Sequence, residues 1–144
     1  MQMKSLIAEC PPANGTEDND PRRKRADSGV NGTGVFNINE SLTLDGAQLT
    51  RASGADINLP AGKTLTVQNG GDAIITGVFI NNSASTIAVT SAGSTFSTTS
   101  SLQLIGGSDT TVSAGGSLTA GTGLTNVRAT GALNINAGGT MIVR

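Results

Sequence analysis

The sequence predicts an all-β fold: a short parallel β-helix, or solenoid, with coils of about 22 residues over residues 35–144, behind an extended charged N-terminal arm over 1–34. The prediction rests on three features. Apolar residues recur in alternating pairs, which is the periodicity of strands. Gly, Asn and Ser separate the pairs, as tight turns require. A longer repeat runs over both.

The arm comes first. Residues 1–28 carry ten of the chain's 19 formal charges, Lys4, Glu9, Glu17, Asp18, Asp20, Arg22, Arg23, Lys24, Arg25 and Asp27. The stretch TEDNDPRRKRADSG has almost nothing apolar, so it cannot by itself offset the entropy of being ordered. Pro11 and Pro12 block a helix there, and Asn14-Gly15 signals a turn. The basic run Arg22, Arg23, Lys24 and Arg25 is either a solvated charged segment or the part of the arm that docks on an acidic protein surface. Glu17, Asp18, Asp20 and Asp27 surround it and oppose phosphate binding, so nucleic acid is not an expected partner.

Past residue 34 the alternating pairs run through the chain: Phe36/Ile38, Leu42/Leu44, Ile57/Leu59, Leu65/Val67, Val78/Ile80, Ile87/Val89, Leu102/Leu104, Leu133/Ile135 and Met141/Val143. Four segments share an Ala-Gly-x-(Ser/Thr)-apolar phrase: Ala61–Leu65, Ala92–Phe96, Ala114–Leu118 and Ala137–Met141. A weaker copy, Asn39–Leu42, adds Ser41 in phase with Thr64, Thr95, Ser117 and Thr140, at intervals of 23, 31, 22 and 23 residues. One coil cannot bury its own apolar face; stacked coils share a core, with equivalent residues about 4.8 Å apart. Gly62, Gly93, Gly115 and Gly138 then mark the same corner of successive coils, and the interval of 31 implies an insertion around Gly77–Ser85. An antiparallel sandwich or jelly roll is the competing expectation, since it too needs short, evenly spaced strands. An open last coil at Met141–Arg144 is expected to be covered by a partner or by another copy, most simply in a homotrimer.

The composition narrows the chemistry. There is no His, which excludes imidazole general bases, Ser-His triads and His metal sites. Cys10 is the only cysteine, so there is no internal disulfide and no structural zinc site. The remaining enzymatic route is carboxylate chemistry on polysaccharides. Asp45, Asp56 and Asp72 are its candidates if stacking brings them together; isolated surface acids are the simpler reading. No Ca²⁺ loop and no phosphate loop is present, so neither a cofactor nor a metal is expected. Rows of outward threonine (Thr43, Thr64, Thr66, Thr119) admit an ice-binding face, but β propensity explains them as well. A net charge of −1 and the lack of a long apolar run argue against membrane insertion. The short patch Leu6–Ala8 is not a secretory signal.

The phrases LTVQNGG (65–71), TVSAGGSLTAGTG (111–123) and LNINAGGTMIV (133–143) resemble the β-helical passenger segments of bacterial autotransporter adhesins. The chain departs from that family in showing no signal peptide and no aromatic-rich C-terminal barrel. The same solenoid style is similar to phage fibre, tailspike and capsid-decoration modules, which assemble without a signal. That resemblance implies a non-enzymatic virion protein, a capsid-decoration or head-fibre subunit, with the major capsid protein or another shell subunit as partner. The bacterial cell surface is the alternative location, and a host-surface glycan is a further possible ligand.

Overall fold

The computed structural model describes residues 27–30 (backbone only), 34–51, 56–123 and 125–144. The described residues form sixteen strands joined by turns, with no helix. In chain order they are β1 (Asp27–Val30), β2 (Phe36–Asn37), β3 (Leu42–Asp45), β4 (Gln48–Arg51), β5 (Ile57–Leu59), β6 (Thr64–Gln68), β7 (Asp72–Ile75) and β8 (Phe79–Asn81). They continue as β9 (Thr86–Val89), β10 (Thr95–Thr98), β11 (Leu102–Leu104), β12 (Asp109–Val112), β13 (Ser117–Ala120), β14 (Asn126–Val127), β15 (Ala132–Ile135) and β16 (Thr140–Val143).

Each strand pairs with the strand three before it and the strand three after it, always in parallel. Three sheets result. Sheet A runs β1-β4-β7-β10-β13-β16, sheet B runs β2-β5-β8-β11-β14, and sheet C runs β3-β6-β9-β12-β15. Neighbours in sequence never pair, so the antiparallel sandwich is overturned. The chain winds as a three-sided β-solenoid with coils of about 23 residues. Its first strand, β1, lies at Asp27–Val30, inside the stretch read from sequence as arm.

The core is a set of inward columns, one residue from each coil. Sheet B contributes Ile57, Phe79 and Leu102; sheet C contributes Leu65 and Ile87, then Val67, Val89 and Val112. Sheet A contributes Leu49, Ala73, Phe96 and Leu118. All are buried, and each large side chain removed from water stabilises by about 1.5–3 kcal/mol. Large stands over small: Phe96 occupies the space above Ala73 and meets the Phe79 ring edge-on, with centroids 5.0 Å apart at 80°. In the last coil the Val67 column ends at Ile135, and the neighbouring inward columns through Leu104 and Ala120 end at Val127 and Val143; all three end residues are exposed.

The sequence placed the pair Val78/Ile80 inward. The structure instead buries Phe79 and Asn81; Ile80 lies on the outer side of β8, and Val78, just before the strand, is half-buried. Asn81 is tolerated inside because its polar atoms are met. Its Nδ2 donates to the Asp109 carbonyl at 3.1 Å and to Thr110 Oγ1 at 3.4 Å, and its Oδ1 accepts from Ser85 Oγ. Asn81→Ala is therefore expected to cost about 1–3 kcal/mol, the range for leaving buried polar groups unsatisfied. The midpoint of urea unfolding measures it; an unchanged midpoint would show the cluster to be dispensable.

The repeat needs one correction. Ser41 and Thr64 belong to sheet C, where the next residue in their column is Thr86. Thr95, Ser117 and Thr140 belong to sheet A, where the preceding residue is Asp72. The interval of 31 is thus one coil plus one face, and no insertion exists at Gly77–Ser85. The cause is that the turn phrase serves two corners. Ala61-Gly62 turns from sheet B to sheet C, closed by Lys63 N donating to the Pro60 carbonyl at 3.2 Å. Ala92-Gly93, Ala114-Gly115 and Ala137-Gly138 turn from sheet C to sheet A. Gly62, Gly93, Gly115 and Gly138 all have positive φ, as a turn glycine should, but Gly62 is not at the corner of the other three.

Candidate functional site

The outer faces are built by the residues that alternate with the core. On sheet C these are Thr64 and Thr66, Thr86 and Thr90, Thr111 and Ser113, all half-buried by their neighbours along the stack. Sheet A presents Thr95 and Ser97, then Ser117 and Thr119, interrupted by Ile74 and Ile142. The threonines singled out from sequence therefore do not share a face: Thr43, Thr64 and Thr66 are on sheet C and Thr119 is on sheet A. Sheet B carries an asparagine ladder in which Asn58 Nδ2 donates to Asn37 Oδ1 at 2.7 Å and Asn82 Nδ2 donates to Asn58 Oδ1. Side-chain hydrogen bonds between coils of this kind fix the register of the stack.

The carboxylates do not converge. Asp45 and Asp72 flank the corner from sheet C to sheet A, one coil apart, whereas Asp56 precedes β5 at the corner from sheet A to sheet B. Each of the first two is engaged locally. Asp45 accepts from Asn69 Nδ2 at 2.8 Å and from Gln68 Nε2 at 3.4 Å, and Asp72 Oδ1 accepts from Thr95 Oγ1 at 2.6 Å. Glu40 pairs with Lys63 at 3.2 Å, and Asp109 accepts from Asn134 Nδ2 at 2.8 Å. Among the described residues no group of three or more His, Cys, Asp or Glu is placed to hold a metal ion. A groove of about 420 Å³ runs beside the end of β10, lined by Ser97, Thr99, Thr119, Thr122 and Arg144. Its side chains offer hydroxyls and one guanidinium, which is hydrogen-bonding and anion-attracting chemistry without a carboxylate.

The docking residues read from sequence, Arg22, Arg23, Lys24 and Arg25, lie outside the described residues, as does Cys10. The corner glycines are described, and they show what sequence reading missed. At Gly62 a Cβ would meet nothing within 4 Å, and at Gly93 only the Gly70 Cα at 3.8 Å. Gly115 and Gly138 are tighter, with Ala92 Cα at 3.0 Å and Gly115 N at 3.2 Å, and the closest approaches at the corners from sheet C to sheet A come one place later in the turn, at Gly71, Gly116 and Gly139. There a Cβ would stand 2.3, 2.6 and 2.3 Å from the carbonyl oxygens of Leu44, Val89 and Val112 in the coil beneath. The doubled Gly-Gly at 70/71, 115/116 and 138/139 was the available signal, although the doublet at 106/107, at the corner from sheet B to sheet C, makes no such backbone contact.

Comparison with protein-family models, curated proteins and solved structures finds no match to this chain.

Proposed function

We propose that this protein is a non-enzymatic virion structural subunit, a capsid-decoration or head-fibre module whose charged arm docks on the shell while the solenoid projects from it. The observation that carries the reading is the division of the chain. More than half of the charge is in the first 28 residues, and a regular stack with a hydroxyl- and amide-rich surface follows. A charged segment poor in apolar residues gains order on a complementary surface. A parallel solenoid supplies a rigid body whose coils bury one another.

Co-sedimentation with assembled shells of a candidate major capsid protein tests this reading. The full chain is expected in the pellet, with binding that weakens as salt rises. Reversing the charges of Arg22, Arg23, Lys24 and Arg25 to Glu in the full chain is expected to weaken binding about ten- to a hundredfold. Wild-type protein left in the supernatant, or a variant that binds as well as wild type, would refute the docking role. A homotrimer belongs to the same proposal, and a monomer mass by light scattering removes it. The hydroxyl-lined groove with Arg144 favours a second reading, adhesion to a surface glycan, which a glycan array tests with binding expected to acidic sugars.

A further inference from the structure

Asn69 and Gly70 fill the two central positions of the turn between β6 and β7. Both have positive φ, 52° and 78°, and Gly71 N closes the turn by donating to the Gln68 carbonyl at 2.9 Å. That sign pattern is the type I′ turn, for which Asn-Gly is a preferred pair. An Asn-Gly step also carries a reaction of its own. The deprotonated Gly amide nitrogen attacks the Asn Cγ, a new N–Cγ bond forms, the Cγ–Nδ2 bond breaks, and ammonia leaves. Water then opens the cyclic imide to aspartate or isoaspartate. No oxidant or reductant is involved, and the absence of a Cβ on glycine leaves its nitrogen unhindered.

Here both reacting groups are held, from opposite sides of the coil. The Gly70 N–H donates to Ser94 Oγ of the following coil at 3.1 Å, and Ser94 is fully buried. The Asn69 Nδ2, which would be the leaving group, donates to Asp45 Oδ1 of the preceding coil at 2.8 Å. We propose that Asn69-Gly70 is a latent self-modification site that stacking keeps closed, with Ser94 occupying the nucleophile and Asp45 holding the amide that must depart. Conversion replaces the donor at Asn69 by a second carboxylate beside Asp45, and the isoaspartate form also lengthens the turn backbone by one atom. A corner that opens is thereby marked irreversibly.

Peptide mapping by mass spectrometry, on the full chain incubated in mildly alkaline buffer, reads the mass gain at Asn69 separately from the other Asn-Gly steps, Asn14-Gly15 and Asn31-Gly32. The native chain is expected to convert at least about tenfold more slowly than the same chain unfolded in urea, as two hydrogen bonds must be given up first. Ser94→Ala is expected to raise the native rate by about fivefold, the factor for one ordinary hydrogen bond. Asp45→Asn, at an exposed site outside the core, is expected to raise it by a smaller factor and decides the matter if Ser94→Ala fails to fold. Equal rates in the native and unfolded chain overturn the proposal, as do variants that fold and leave the native rate unchanged.

Discussion

Truncating Phe96 to alanine is expected to destabilise the solenoid by about 3–5 kcal/mol. Phe96 lies on the inner face of β10, buried, with Ala73 beneath it and Leu118 above it in the same column. Alanine under alanine would leave a hole that neither neighbour can fill, because the parallel ladders fix both backbones. The edge-on contact with Phe79 is lost as well. Pairing this change with Phe79→Leu in a double-mutant cycle is expected to give a coupling of about 0.5–1.5 kcal/mol for the ring pair. The measurement is the shift of the denaturant midpoint at constant slope. A loss below about 1 kcal/mol would mean that the coils re-pack around the gap. Because each coil touches only its neighbours, a weak coil in the middle also separates those on either side.

The architecture was legible in sequence for sheets B and C and nearly invisible for sheet A. Sheets B and C supply pairs such as Ile57/Leu59, Leu65/Val67, Ile87/Val89 and Leu102/Leu104, in which both inward residues are large and apolar. In sheet A one inward residue of most strands is polar or small: Arg51 after Leu49, Ala73 before Ile75, Thr98 after Phe96, and Ala120 after Leu118, so that only β16 shows an apolar pair, Met141/Val143. Arg51 is buried there and donates to the Gly34 carbonyl, a satisfaction that no sequence pattern announces. With one side of each coil muted, the turn phrase became the main marker of phase. That phrase follows local turn chemistry, which any corner can use, so it jumped from one corner to another between Thr64 and Thr95. Asn81 misled for a related reason: Val78 and Ile80 flank the inward residues Phe79 and Asn81, and hydropathy alone prefers the flanking pair. The charged arm was legible as composition, and the proposed docking rests on that composition.

Gly116→Ala is expected to cost about 3 kcal/mol, the upper end for overpacking, and Gly62→Ala only about 1 kcal/mol. From sequence the two glycines carry similar weight, since both belong to an Ala-Gly turn phrase. At Gly62 the penalty is conformational alone: φ is +71° and the space around an added Cβ is open. At Gly116 the Cβ would lie 2.6 Å from the Val89 oxygen and 2.8 Å from its carbonyl carbon. That oxygen already accepts Ser113 N at 3.0 Å, so the peptide cannot turn away without opening the ladder between β9 and β12. Gly71 and Gly139 meet the same obstacle one or two coils away, which makes it a property of the corner. The corner before β10 has Ser94 in the equivalent place and takes another path, with Ser91 at φ +75°. Thermal unfolding of the two variants reads the order directly. A Gly62→Ala loss equal to or larger than that of Gly116→Ala would mean that turn conformation, and not the closeness of stacked backbones, sets the demand for glycine in this solenoid.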